Sequence, residues 1–99
     1  MLHTVNKSPF ERNSLERCLR TCANGSAILL IEDGVYGGMK GSIIEDKVKN
    51  AMKGVKIYAL EADVDSRGIK DHVMDGIQLV DYSGFVDLSV EYDKIQSWL

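Results

Sequence analysis

Ala27-Ile28-Leu29-Leu30-Ile31 is the stretch on which the fold turns: five apolar residues in a row with no polar position among them. A strand with one face in water alternates, whereas an unbroken run bounded by turn residues is the pattern of a strand buried on both faces of a parallel sheet. We therefore expect this to be a central strand. Ser26 and Asn24-Gly25 precede it and Glu32-Asp33-Gly34 closes it.

Working outward, Leu2–Val5, Val55–Leu60 and Ile77–Val80 read as three further strands, with helical periodicity between them. Leu15, Cys18, Leu19, Cys22 and Ala23 fall at i, i+3, i+4, i+7 and i+8, one apolar stripe that ends at Asn24-Gly25. Its helix starts at Ser8-Pro9-Phe10-Glu11 or at Asn13, each a capping-box pattern. Ser42 with Glu45 is another such box, followed by a stripe of Ile44, Val48, Ala51 and Met52 that stops at Gly54. Glu61–Gly68 reads as a short helix closed by glycine. From Asp81 onward, alternation (Val86, Leu88, Val90, Tyr92) competes with helical spacing (Tyr82, Phe85, Val86, Ser89), and the strand–helix rhythm favours a helix. Four strands with intervening helices imply a single α/β domain over residues 1–99, with a mainly parallel sheet and right-handed crossovers. Gly34, Gly37, Gly38 and Gly41 are expected to form a flexible connection after the central strand.

The totals bound the function. Of 99 residues 44% are hydrophobic and 27% charged, the balance of a globular domain. A net charge of -3 offers no footprint for a phosphate backbone, so direct nucleic-acid binding is not expected. No apolar run approaches a membrane span and the N-terminus lacks a signal-peptide core, which points to the cytoplasm. Two cysteines in such a compartment are expected to be thiols.

Tests for known chemistry fail. Counting a P-loop from Gly34 puts Met39 where the second glycine belongs, and no G-x-G-x-x-G can be placed. Asp63–Gly68 imitates the start of a calcium loop, but Arg67 occupies a ligand position and Met74 stands where the bidentate glutamate belongs. His3, His72 and a CxxxC pair compose neither a zinc set nor a thioredoxin-type motif, so no metal or cofactor is expected. Pairing of a histidine with Cys18 for nucleophilic catalysis requires a proximity that spacing does not supply.

The thiols admit two roles. Both fall on the core stripe and suit small buried hydrophobes. Alternatively Cys18, flanked by Arg17 and one turn from Arg20, is a persulfide-accepting thiol whose thiolate the guanidinium groups stabilise. Cys22 is the weaker candidate, deeper in the stripe and nearer the helix C-terminus, where the dipole disfavours a thiolate.

MLHTVNKSPFERNSLERCL (residues 1–19), LLIEDGVY (29–36), KIYALEADVDSRG (56–68), VDYSGFVDL (80–88) and QSWL (96–99) together resemble the DsrH/TusB family of small sulfur-relay proteins, over nearly the whole chain. The resemblance implies a three-layer α/β/α DsrE-like fold and a heterohexamer with DsrE/TusD-like and DsrF/TusC-like sister subunits. It also implies a DsrC/TusE-like sulfur acceptor. One lineage serves cytoplasmic sulfur oxidation, the other 2-thiouridine formation at the tRNA wobble position. The cysteine at position 18 resembles that of DsrH members from sulfur oxidisers, which tilts the expectation toward oxidation. The family's persulfide carrier is a cysteine of the DsrE/TusD sister, so this chain is expected to complete the assembly and help dock the acceptor, not to catalyse alone. The contrasting reading makes Cys18 a carrier in its own right. Trp98 and Leu99 are expected to pack on the domain or on a sister subunit.

Overall fold

In the computed structural model, which describes residues 1–99, the central run forms strand β2 (Ala27–Leu30), and all four of its residues are buried. Beside it lie β1 (Leu2–Val5) and β3 (Lys56–Leu60), then β4 (Gln78–Val80), and on the far side of β1 a fifth strand, β5 (Ile95–Trp98). Strand order is β4-β3-β2-β1-β5, and every pairing is parallel. The sheet is thus wholly parallel, where the sequence suggests mainly parallel with four strands. β5 escapes sequence reading because it is a four-residue edge strand whose Ile95, Gln96 and Ser97 are exposed. An edge strand buries little and so has no need of a long apolar run.

Alternation sorts the strands into two faces. Val5, Ile28, Leu30, Ile57 and Ala59 point into the larger core with Leu15 and Cys18 of α1 (Ser14–Thr21), Val48 of α2 (Glu45–Ala51) and Val64 of α3 (Glu61–Ser66). Leu2, Ala27 and Leu29 point the other way, onto Leu88 of α4 (Tyr82–Glu91). The result is the expected three-layer α/β/α arrangement. No helix is long and apolar enough to cross a membrane.

Several local expectations are corrected. Of the two expected starts α1 takes the second, beginning at Ser14 with Asn13 at its N-cap position, though without the expected side-chain cap. Ser8 instead stabilises a turn, its Oγ accepting from the Phe10 N–H at 3.2 Å. α1 also ends at Thr21, before the Asn24-Gly25 stop, because Cys22 is already extended at φ -68° and ψ 140°. Glu45 reaches back as a capping glutamate, but to the Gly41 N–H at 2.6 Å and not to Ser42, whose buried hydroxyl has no partner. α4 starts as a helix should, with the Asp81 carboxylate accepting from the Gly84 N–H at 2.8 Å.

Most of the glycine-rich connection is a packed turn and not an open loop. Glu32–Gly38 forms a 3-10 helix with Gly34, Gly37 and Gly38 buried. A Cβ on Gly34 would lie 2.0 Å from the Val5 carbonyl oxygen, so this segment rests directly on the carboxyl end of β1. Glycine is required there for close approach and not for an unusual φ.

Candidate functional site

Cys18 sits on the inner face of α1 with 0% of its surface exposed, against the core packed on β1 and β2. Burial pushes its thiol pKa up to about 12, with nearby Cys22 adding to the rise. The neighbouring arginines do not oppose this: Arg17 stacks over the Trp98 indole, its Cζ 6.0 Å from the ring centroid, and Arg20 is exposed. Cys22 is the shallower thiol, half-buried, with its S–H directed at the Leu19 carbonyl at 3.7 Å, and burial raises its pKa as well. The expected order of depth is therefore reversed. Extrapolating the helical stripe to position 22 fails because the helix has already ended.

The histidines do not join the thiols. His3, buried on β1, accepts at Nδ1 from the Trp98 Nε1–H at 3.0 Å, which places its remaining proton on Nε2 when the ring is neutral. His72 is exposed at the end of a 3-10 turn, Lys70–His72, where its carbonyl accepts from the Lys40 N–H at 2.7 Å. No hydrogen bond links either one to Cys18.

The Trp98–His3 pair fastens the last strand. Ser14 Oγ donates to the Leu99 carbonyl at 2.8 Å and Thr4 Oγ1 to Ser97 Oγ at 3.3 Å, so β5 is held by side chains from β1 and α1 as well as by its ladder. Trp98 is packed on the domain as expected, whereas Leu99 is 78% exposed. Truncating Trp98 to alanine removes the indole packing, the His3 bond and the Arg17 stack together. We expect a loss of about 3 kcal/mol in urea unfolding; a change below about 1 kcal/mol would show β5 to be held by its ladder alone.

His3 also makes stability depend on pH. Burial, and secondarily the positive N-terminus, lower its pKa from the ordinary value. The unfolded chain then takes up the proton more readily than the folded one. The stabilisation is complete above about pH 6.5 and declines as pH falls from there through the folded value. Urea midpoints should drop between pH 7 and 5, and His3→Gln should flatten that part of the dependence; an unchanged slope in the variant would assign it to another group.

A second constellation lies at the carboxyl ends of β2 and β3. Glu32 is the one non-glycine residue with positive φ, at 50°, and its N–H donates to Asp63 Oδ2 at 2.7 Å. Arg67 contacts Asp33 Oδ1 through both Nε and Nη2 at 2.9 Å, and its Nη1 donates to the Asp63 carbonyl at 3.2 Å. Two stretches quoted above, LLIEDGVY and KIYALEADVDSRG, thus meet as a clamp between neighbouring βα connections. Sequence reading takes Glu61–Gly68 only as a short helix whose Asp63–Gly68 imitates a calcium loop, and misses the clamp. The one available signal is the lone arginine among these carboxylates. Cys18, by contrast, stands apart from water, and neither thiol has the depressed pKa that sulfur transfer asks of a self-sufficient carrier.

Comparison with known proteins agrees with this architecture. The family model described as DsrH like protein matches residues 7–95. Protein TusB of Photorhabdus laumondii is 36% identical, with 99% of this chain aligned to the whole of that protein. Protein TusB of Escherichia coli K12 is 34% identical at the same coverage. The crystal structure of the ychN protein from E. coli superposes with a TM-score of 0.81 at 18% identity, covering 97% of each chain, a likeness of fold. The lean toward the sulfur-oxidiser lineage is not carried by these relatives, both of which bear the name TusB.

Proposed function

The chain belongs to the DsrH/TusB family, and from that premise we propose that it is a TusB-like subunit of a cytoplasmic sulfur relay delivering sulfur for 2-thiouridine at the tRNA wobble position. The full-length similarity to TusB proteins carries this reading. The thiol that tilted the expectation toward sulfur oxidation is the buried Cys18, whose position suits packing. The chain completes an assembly with TusC-like and TusD-like sister subunits and helps dock a TusE-like acceptor, while a sister cysteine carries the persulfide.

Measuring 2-thiouridine in total tRNA by mass spectrometry, after deleting the gene in its own organism, tests this. We expect the modified nucleoside to fall at least about tenfold, a factor worth roughly 1.4 kcal/mol if it were an equilibrium, and to return with a plasmid copy of either the wild type or Cys18→Ala. Unchanged 2-thiouridine, with impaired oxidation of stored sulfur, would restore the DsrH reading. Recovery with the wild type but not with a folded Cys18→Ala would make this chain a carrier.

A further inference from the structure

His3 is buried, yet only one of its ring nitrogens has a partner in the protein. Nδ1 accepts from Trp98, so the neutral ring carries its proton on Nε2, and that N–H makes no hydrogen bond within the chain. It opens instead into a cleft of about 420 Å³ between the end of α1 and the β1–β5 edge of the sheet. The register explains the placing. His3 pairs with Gln96 and Val5 with Trp98, so these four side chains share the sheet face that α1 covers. Met1, Thr21 and Ser26 complete the walls. Ser26 is 5% exposed, as is His3, and its hydroxyl also has no partner in the protein. Buried polar groups are normally paired, because leaving one unsatisfied costs stability. Thr21 is already committed, its hydroxyl donating to the Arg17 carbonyl at 3.0 Å. The free donors at the cleft are therefore His3 Nε2–H, Ser26 Oγ–H and the Gln96 amide.

We propose that this cleft binds a small organic carboxylate, its oxygens accepting from His3 Nε2–H and Ser26 Oγ–H and its apolar body lying against Trp98. The inference stands apart from the relay function and gives the chain a ligand of its own. Size fits a small molecule, since such sites run from about 300 to 1,000 Å³ and combine apolar walls with a few convergent polar groups. Charge selects an anion. The chain holds 15 acidic residues against 12 basic ones, yet none of the acidic residues lines the cleft. The charge that acts on His3 is the positive amino terminus, and Arg17 lies over Trp98. The carboxyl end of α1, at Thr21, works against an anion. Arg17 and Arg20 offset it from the same helix, and neither is held in an ion pair. The hydrogen bonds also report the ligand: a carboxylate on Nε2–H makes Nδ1 a stronger acceptor and so strengthens the Trp98 bond.

The test is an NMR titration of the isotopically labelled full chain with benzoate and with butyrate, and with benzamide as the uncharged counterpart of benzoate. Trp98 is the one tryptophan, so its indole N–H gives a single resonance beside the site. Benzoate should move that resonance downfield and saturably, with a Kd on the order of 1 mM for so small a ligand. Benzamide should bind at least about tenfold more weakly, having no charge to strengthen its hydrogen bonds. Ser26→Ala should weaken benzoate at least about threefold through the lost donor. Gln96→Glu places a carboxylate at an exposed edge of the cleft and should weaken benzoate at least about tenfold while melting at the wild-type temperature. No saturable shift with either acid overturns the site. Benzamide bound as tightly as benzoate overturns the anion, and benzoate held by Gln96→Glu as by wild type overturns the cleft.

Discussion

Replacing Gly34 with alanine should cost at least about 3 kcal/mol of stability and lower the melting temperature of a domain this size by roughly 12–24 °C. The added Cβ would stand 2.0 Å from the Val5 carbonyl oxygen and 2.8 Å from its carbon. Both are backbone atoms at the end of a central strand, so no rotamer change relieves the contact. The 3-10 segment must lift from β1 or the strand must bend, and either opens the core where Val35 is buried. Gly25→Ala is the companion measurement: there φ is +89° and the space around a Cβ is empty, so only the left-handed backbone is penalised, by about 1–2 kcal/mol. Calorimetry of both variants separates the effects. If Gly34→Ala melts within a few degrees of wild type, the turn does not rest on β1 as described.

The second large effect is kinetic. With a pKa of about 12, Cys18 holds roughly one thiolate in ten thousand at pH 8, whereas an ordinary cysteine near pKa 8.5 is tens of per cent ionised. Its complete burial adds a steric barrier. An aromatic disulfide reagent should therefore titrate one thiol, Cys22, in the folded protein, with Cys18 reacting at least about a hundredfold more slowly and catching up only in denaturant. Peptide mapping assigns the sites. Equal rates in the folded state would mean that α1 opens readily, which would restore Cys18 as a relay thiol. Cys18→Ala is the better probe of function than Cys18→Ser, because a buried hydroxyl without a partner costs about 1–3 kcal/mol and confuses lost chemistry with lost folding.

What could be read from the residues in advance follows from where each signal resides. The AILLI run and the Leu15–Cys18–Leu19 stripe are local patterns whose meaning is set by which side chains must leave water, and each element appears as expected; residues 82–91 are helical as expected, but Tyr82 and Val86 of the expected stripe are exposed and Leu88 takes the buried position. The order of depth of the two cysteines was not legible. Helical phase assigns a face only while the helix lasts, and the turn at Cys22 rotates that thiol outward. β5 was hidden for a different reason: its partner, β1, lies at the other end of the chain, and four half-polar residues carry no sign of that pairing.

The site shows the same division. The motifs around Asp33 and Arg67 are visible as separate strings, but 34 residues separate the atoms that meet at 2.9 Å. The Trp98–His3 bond spans 95. Periodicity extends over one element and does not report which loops the sheet order will bring together. From the sequence alone follow an α/β domain with a buried parallel strand at its centre and a resemblance to a sulfur-relay family, because local patterning and motif strings suffice for both. Only the tertiary structure decided that Cys18 is sealed from solvent, that the chain end closes the sheet against His3, and that one flank of α4 is left bare, because burial and partnership depend on what folds back from far along the chain.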